Sequence, residues 1–138
     1  MNCIVTNDNS VTVAKIIGDL DHHTAKFIRG EIDKGIKETL PHRLILDFSH
    51  VTFMDSSGIG LVMGRYKLMG ENGGEVLVAN PPDYIKKVFK LAGIDKLTKI
   101  VGDYEKYLDK EQTKADEKNI DKEELKSGEV ERVETKIN

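Results

Sequence analysis

Apolar positions along the first hundred residues recur at two spacings. In SVTVAKIIG, Val11 and Val13 alternate with polar residues before Ile16 and Ile17, which is the two-residue period of a strand. CIVTN ahead of it reads as a second strand, joined through a turn at NDNS. Over DLDHHTAKFIRGEIDKGIKETL the spacing lengthens. Ala25, Ile28, Ile32 and Ile36 fall at three- and four-residue steps and give a helix one apolar face. Asp21 is placed to cap that helix and Pro41 to stop it. RLILDF is a short unbroken apolar run, as expected of a strand buried on both faces of a parallel sheet.

A second helical pattern covers SSGIGLVMGRYKLMGENGG and ends at Asn72-Gly73-Gly74. Its spacing puts Ile59, Val62, Met63, Tyr66 and Met69 inward, and Leu61, Arg65 and Leu68 on the open face as a docking patch. EVLVAN reads as another buried strand. Pro81 and Pro82 open a third helix, DYIKKVFKLAGI, with Ile85, Val88, Phe89 and Ala92 inward and Gly93 ending it. TKIV is a last short strand, and DYEKYLDKEQ begins a final helix. The expected fold is α/β: a mostly parallel central sheet of about five strands, an N-terminal antiparallel hairpin and about four helices.

The pattern stops near Asp109. Residues 109–138 hold few apolar side chains and no aromatic, too little to offset their ordering entropy alone. Lysines recur every four residues from Lys106 to Lys126, with acids three residues from several of them. The division expected is a domain over 1–108 and a charged C-terminal tail over 109–138. The tail is disordered or a solvent-exposed helix, with partner binding as its functional alternative.

Composition narrows the classes. The 138 residues suffice for one hydrophobic core. Twelve of the 24 acids but only 8 of the 21 basic residues lie from Asp103 onward, so the body is near neutral and the net charge of −3 comes from the tail. There is no basic stripe of the kind that tracks nucleic acid. The single cysteine, Cys3, makes no internal disulfide and no zinc site by itself. MNCIVTNDNS is not a signal peptide and no run is long enough to span a bilayer, so the expectation is a cytoplasmic protein without membrane contact.

The candidate chemistry lies in FMDSSGIG, residues 53–60. A nucleophile elbow needs glycines flanking the serine, and Met54 or Asp55 stands where the first should be. Neither G-x-x-x-x-G-K-[ST] nor G-x-G-x-x-G is present, although a helix start can bind an anion through its free N–H groups. A phosphate-accepting acid is conceivable at Asp47 or Asp55, but the acidic pair that would hold magnesium after the first strand is missing. The plainest reading is a helix cap. Gly58, Gly60 and Gly64 ask for more, since each costs a helix about 1 kcal/mol against alanine. Close approach by another backbone is one reason for three of them. The residues thus describe an interaction module with a modifiable serine and leave the partner open.

GDLDHHTAKF, LILDFSHVTFMDSSGIGLVMGRYK and GGEVLVANPPDYIKKVFKLAGIDKL together resemble the STAS domain of anti-sigma factor antagonists, nearest to the sporulation branch that acts on anti-sigma F factors. The resemblance runs from about Cys3 to Tyr107. It implies a protein that is not an enzyme and carries no cofactor or metal. The implied partner is an anti-sigma factor that is also a serine kinase binding ATP or ADP, from which docking releases the sigma factor. Phosphorylation is implied at Ser56, with a metal-dependent serine phosphatase reversing it. Asp19, Asp21, Asp55, Ser57, Gly58, Ile59, Gly60 and Arg65 match the segments around the docking contact, and helical spacing adds Leu61. The separate reading of Ser57 is a helix cap that takes no phosphate. Three alternatives stand beside this: a general-stress or stressosome-type regulator with the same domain, a nucleotide-binding module or enzyme, and a purely structural role.

Overall fold

The computed structural model describes residues 2–108. The expected tail over 109–138 lies outside the described residues. Two strands, β1 (Cys3–Asp8) and β2 (Val11–Leu20), form an antiparallel hairpin, with Asn9 at φ 57° in its turn. Helix α1 (His22–Thr39) leads to β3 (Arg43–Met54), and α2 (Ser57–Glu71) to β4 (Glu75–Ala79). Helix α3 (Asp83–Leu91) and a 3-10 turn at Ile94–Lys96 lead to β5 (Lys99–Val101). Strands β2 to β5 pair in parallel and the sheet order is β1-β2-β3-β4-β5. The expected mixed five-stranded fold is what forms. Within the described residues, the expected final helix is a single 3-10 turn at Glu105–Tyr107.

The sequential strand order decides where the core sits. Each crossover moves one strand further in the same direction, and right-handed crossovers then place every helix on one face. On that face Ile28, Ile32 and Ile36 of α1, Val62 and Met69 of α2, and Ile85 and Phe89 of α3 pack on Ile16, Leu46, Phe48 and Val78. Phe48 and Phe89 meet edge to face with centroids 5.2 Å apart. The other face bears Val11, Ile45, Leu77 and Ala79, and none of α1, α2 and α3 covers it. Instead Tyr104, Tyr107 and Leu108 lie across it. RLILDF is therefore buried on both sides, by helices on one and by residues 104–108 on the other.

Strand β3 is longer than RLILDF and continues through SHVTF to Met54. The β2–β3 ladder shifts register between Lys15 and Ile17 and again between Gly18 and Asp19, where Gly18 takes φ +86°. These irregularities let two long strands run side by side to Leu20 and Met54 and deliver their carboxyl ends together.

Candidate functional site

The site is built where β3 turns into α2. The Asp55 N–H donates to the Leu20 carbonyl at 3.2 Å, tying the turn to the end of β2. The Asp55 carboxylate then accepts the Ser57 N–H at 2.8 Å. Ser56 occupies the N-cap position with a helical backbone (φ −63°, ψ −15°), is exposed, and makes no side-chain cap bond. The cap expected of Ser57 is thus supplied by Asp55 instead. A carboxylate reaching two residues forward satisfies a free helix N–H as well as a hydroxyl would, so neither serine is needed for it. Gly58 is buried, and a Cβ there would run into the Met54 side chain, with Leu20 Cδ2 at 3.2 Å. Its smallness lets α2 start directly above the β3 end.

Two acids from the β2–α1 corner stand beside this turn. Asp21 caps α1 by accepting from His23 N–H at 2.9 Å and Thr24 N–H at 3.0 Å, while Thr24 Oγ1 accepts the Asp21 N–H, a complete capping box. The Thr24 amide bond, above all, lowers the Asp21 pKa from its ordinary value, and burial opposes it. Asp19 is exposed and accepts the Thr52 hydroxyl at 3.0 Å. Asp19 and Asp21 are therefore fixed by neighbours, not loose on the surface.

The orientation of α2 differs from the expectation. Leu61, Val62, Arg65 and Met69 are buried, Ile59 and Leu68 are half-buried, and Met63 and Tyr66 are exposed at 37% and 38%. The helix packs on α1 as well as on the sheet, which widens its buried arc and turns the Leu61–Arg65 side toward α1 rather than solvent. The glycines also divide. Gly58 is pressed on side chains, not backbone, whereas a Cβ at Gly60 or Gly64 would meet no atom within 4 Å.

Gly60 and Gly64 instead open a cavity of about 370 Å³ between α1 and α2. Its α1 wall carries His22, Lys26 and Arg29, and its α2 wall Ser57, Gly60 and Arg65. Arg65 is only 7% exposed. Its Nε lies 3.0 Å from Asp33 Oδ1 but out of line for a hydrogen bond, and its Nη1 is buried with no hydrogen-bond partner. Burial lowers the Arg65 pKa from its ordinary value, Asp33 pulls it back, and Arg29 adds to the lowering. The sequence reading did not single out Lys26 and Arg29. The available signal was the stripe His22-Lys26-Arg29, at four- and three-residue steps along one face of α1.

Other chemistry recedes. Asp47 is not at a strand end but in the middle of β3, buried, accepting the Tyr104 hydroxyl at 2.9 Å and the Ser49 hydroxyl at 2.7 Å. It points to the face that residues 104–108 cover, away from Asp55, so the two make no phosphate-accepting pair. Burial pushes the Cys3 thiol up to about 11, leaving it protonated and unreactive at neutral pH.

A five-stranded sheet with helices on one face and an exposed serine at the start of the second helix defines a class. The STAS domain model matches residues 2–106, and the chain belongs to that family. In sequence it is similar to the anti-sigma F factor antagonist of Paenibacillus polymyxa, 36% identical over 92 residues that span 65% of this chain and 77% of that one. In structure it is similar to the anti-sigma factor antagonist SpoIIAA in its unphosphorylated form, with a TM-score of 0.67 and 29% identity over 76% of this chain and 90% of that one. It also matches the Bacillus cell fate determinant SpoIIAA in its phosphorylated form, with a TM-score of 0.62 and 29% identity over 76% and 94% of the two chains. Among the described residues no helix is long and apolar enough to cross a membrane, and no cluster of three or more His, Cys, Asp or Glu could hold a metal.

Proposed function

We propose that this chain is an anti-sigma factor antagonist of the sporulation type, working in the cytoplasm. Unmodified, it docks on an anti-sigma factor that is also a serine kinase and so frees the sigma factor. Phosphorylation of Ser56 ends the contact, and a metal-dependent phosphatase restores it. The observation that carries this reading is the state of Ser56: exposed at a helix start, free of capping duty because Asp55 has it, in a chain similar to proteins named antagonists. The docking surface comprises the exposed Asp19, Ser56 and Gly60 and the half-buried Asp21, Asp55, Ser57 and Ile59 around them. Gly58 and Leu61 support that surface from below.

The switch acts at the interface and not on the fold. A phosphate adds about −1.5 to −2 charges at pH 7 and three strong acceptor oxygens. The helix dipole favours that charge by about 0.3–1 kcal/mol. The neighbouring Asp55 carboxylate opposes it, so the net effect on the domain is small. At a docked surface the same phosphate is desolvated beside acids, where breaking charge complementarity costs several kcal/mol.

The test incubates the full chain with the anti-sigma factor of its source organism and ATP, then reads intact mass and binding. Wild type gains one phosphate at Ser56, Ser56→Ala gains none yet binds, Ser57→Ala is still modified, and Ser56→Asp binds weakly. Equal affinity of Ser56→Ala and Ser56→Asp would sink the proposal.

A further inference from the structure

The cavity between α1 and α2 has a chemistry that the modification of Ser56 does not use. Three of its walls' side chains are cationic at neutral pH, Lys26, Arg29 and Arg65, and His22 stands at its end. No carboxylate lines it. A guanidinium offers five N–H donors in a fixed fork. Asp33 engages only Nε, and without a directed bond, while Nη1 is buried and unpartnered. A buried donor without an acceptor is costly, and a buried, incompletely paired charge more so. Arg65 lines the groove, so an acceptor seated there would meet its guanidinium.

The floor is shaped for an arrival. Gly60 and Gly64, one helical turn apart on α2, leave open space where side chains would otherwise stand. The cavity also begins at Ser57, beside the modifiable serine, so whatever docks around Ser56 reaches it without a second contact surface.

We infer that this groove receives a carboxylate side chain, an aspartate or glutamate, presented by the docked anti-sigma factor, with Arg65 as its receptor at the bottom and Lys26 and Arg29 guiding it from the rim. The inference rests on the docking function proposed above and adds a recognition pocket to it. It explains why a cation is kept in the buried stripe of α2 and why two helix-weakening glycines sit next to it.

The experiment titrates the full chain calorimetrically with its anti-sigma factor, beside Arg29→Glu, Lys26→Glu and Gly64→Met, with thermal unfolding of each. Lys26 and Arg29 are exposed, and Gly64→Met replaces a helix-weakening residue by a good helix former, so these variants keep the fold. The expected result is a loss of affinity of about tenfold or more in each variant, at unchanged or raised melting temperature. Groove variants that bind like wild type overturn the pocket and leave the docking function standing. A wild type that does not bind brings both down. Unchanged affinity together with a shifted phosphorus resonance of phosphorylated Arg29→Glu would mean that the groove holds the chain's own phosphate, which also overturns the inference.

Discussion

The Asp55 carboxylate accepts the Ser57 N–H at 2.8 Å, so the start of α2 is capped from outside the helix, across the serine that stands between them. The two serines are thereby released from a structural duty that their position would normally impose. Asp55→Ala should lower stability by about 0.5–2 kcal/mol, the usual value of a helix cap. Ser56→Ala and Ser57→Ala should each change it by less than about 0.5 kcal/mol. Urea denaturation of the three variants checks this. A loss at Ser57→Ala equal to that at Asp55→Ala would return the cap to Ser57.

Gly58, Gly60 and Gly64 of α2 should respond in opposite directions. At Gly58 an added methyl meets the Met54 side chain and Leu20, and overpacking of this kind costs about 1–3 kcal/mol. At Gly60 and Gly64 the methyl enters open space, so alanine should stabilise by about 0.5–1 kcal/mol through helix propensity alone. Thermal unfolding of the three alanine variants reads the contrast directly.

The same helix shows why part of the fold was legible in the sequence and part was not. Strands and helices followed from apolar spacing, because burial against one sheet enforces a period of two or of 3.6. The Asp21 cap was legible because its partners are local. The facing of α2 was not. Its buried stripe is Gly58, Leu61, Val62, Arg65 and Met69, a regular set of three- and four-residue steps. It holds a glycine and an arginine, which read as non-core, while Met63 and Tyr66 drew the apolar face to the wrong side. The carboxylate nearest the Arg65 guanidinium is Asp33, brought to it by α1, and that is a long-range fact. Tyr104 was unreadable for the same reason: its partner Asp47 is 57 positions away.

Tyr104 and Asp47 supply a third prediction. Their bond, with the Arg43 guanidinium donating to the Tyr107 carbonyl at 2.6 Å, fastens residues 104–107 over the sheet face opposite α1, α2 and α3. Tyr104→Phe removes one donor from a buried carboxylate and should cost about 1.5–3 kcal/mol, nearer the lower figure because Ser49 still donates to Asp47. Burial first, and then the bond to Asp47, raise the Tyr104 pKa from 10.0 to about 12. A raised phenol favours the folded state while it is protonated, so this contribution is complete below pH 10 and is lost as pH climbs toward 12. Ultraviolet titration should show one tyrosine ionising late, and Tyr104→Phe should delete that step alone.

Asp21 gives the opposite dependence at the acid end. Its carboxylate binds two amides at the N-terminus of α1, where the helix dipole also favours negative charge. Its pKa in the fold lies below the ordinary 3.8, so the folded state holds its proton less tightly than the unfolded chain. The stabilisation is therefore present in full above pH 3.8 and disappears as pH falls through the lowered value. Asparagine caps a helix comparably but does not titrate, which makes Asp21→Asn the proper reference. The difference in unfolding midpoint between wild type and Asp21→Asn should be constant near neutral pH and shift against wild type as pH falls below 3.8. Acid effects of the other carboxylates are common to both proteins and cancel in that difference. A difference that stays level across the acid range would mean that the Asp21 charge contributes nothing to the cap beyond its shape.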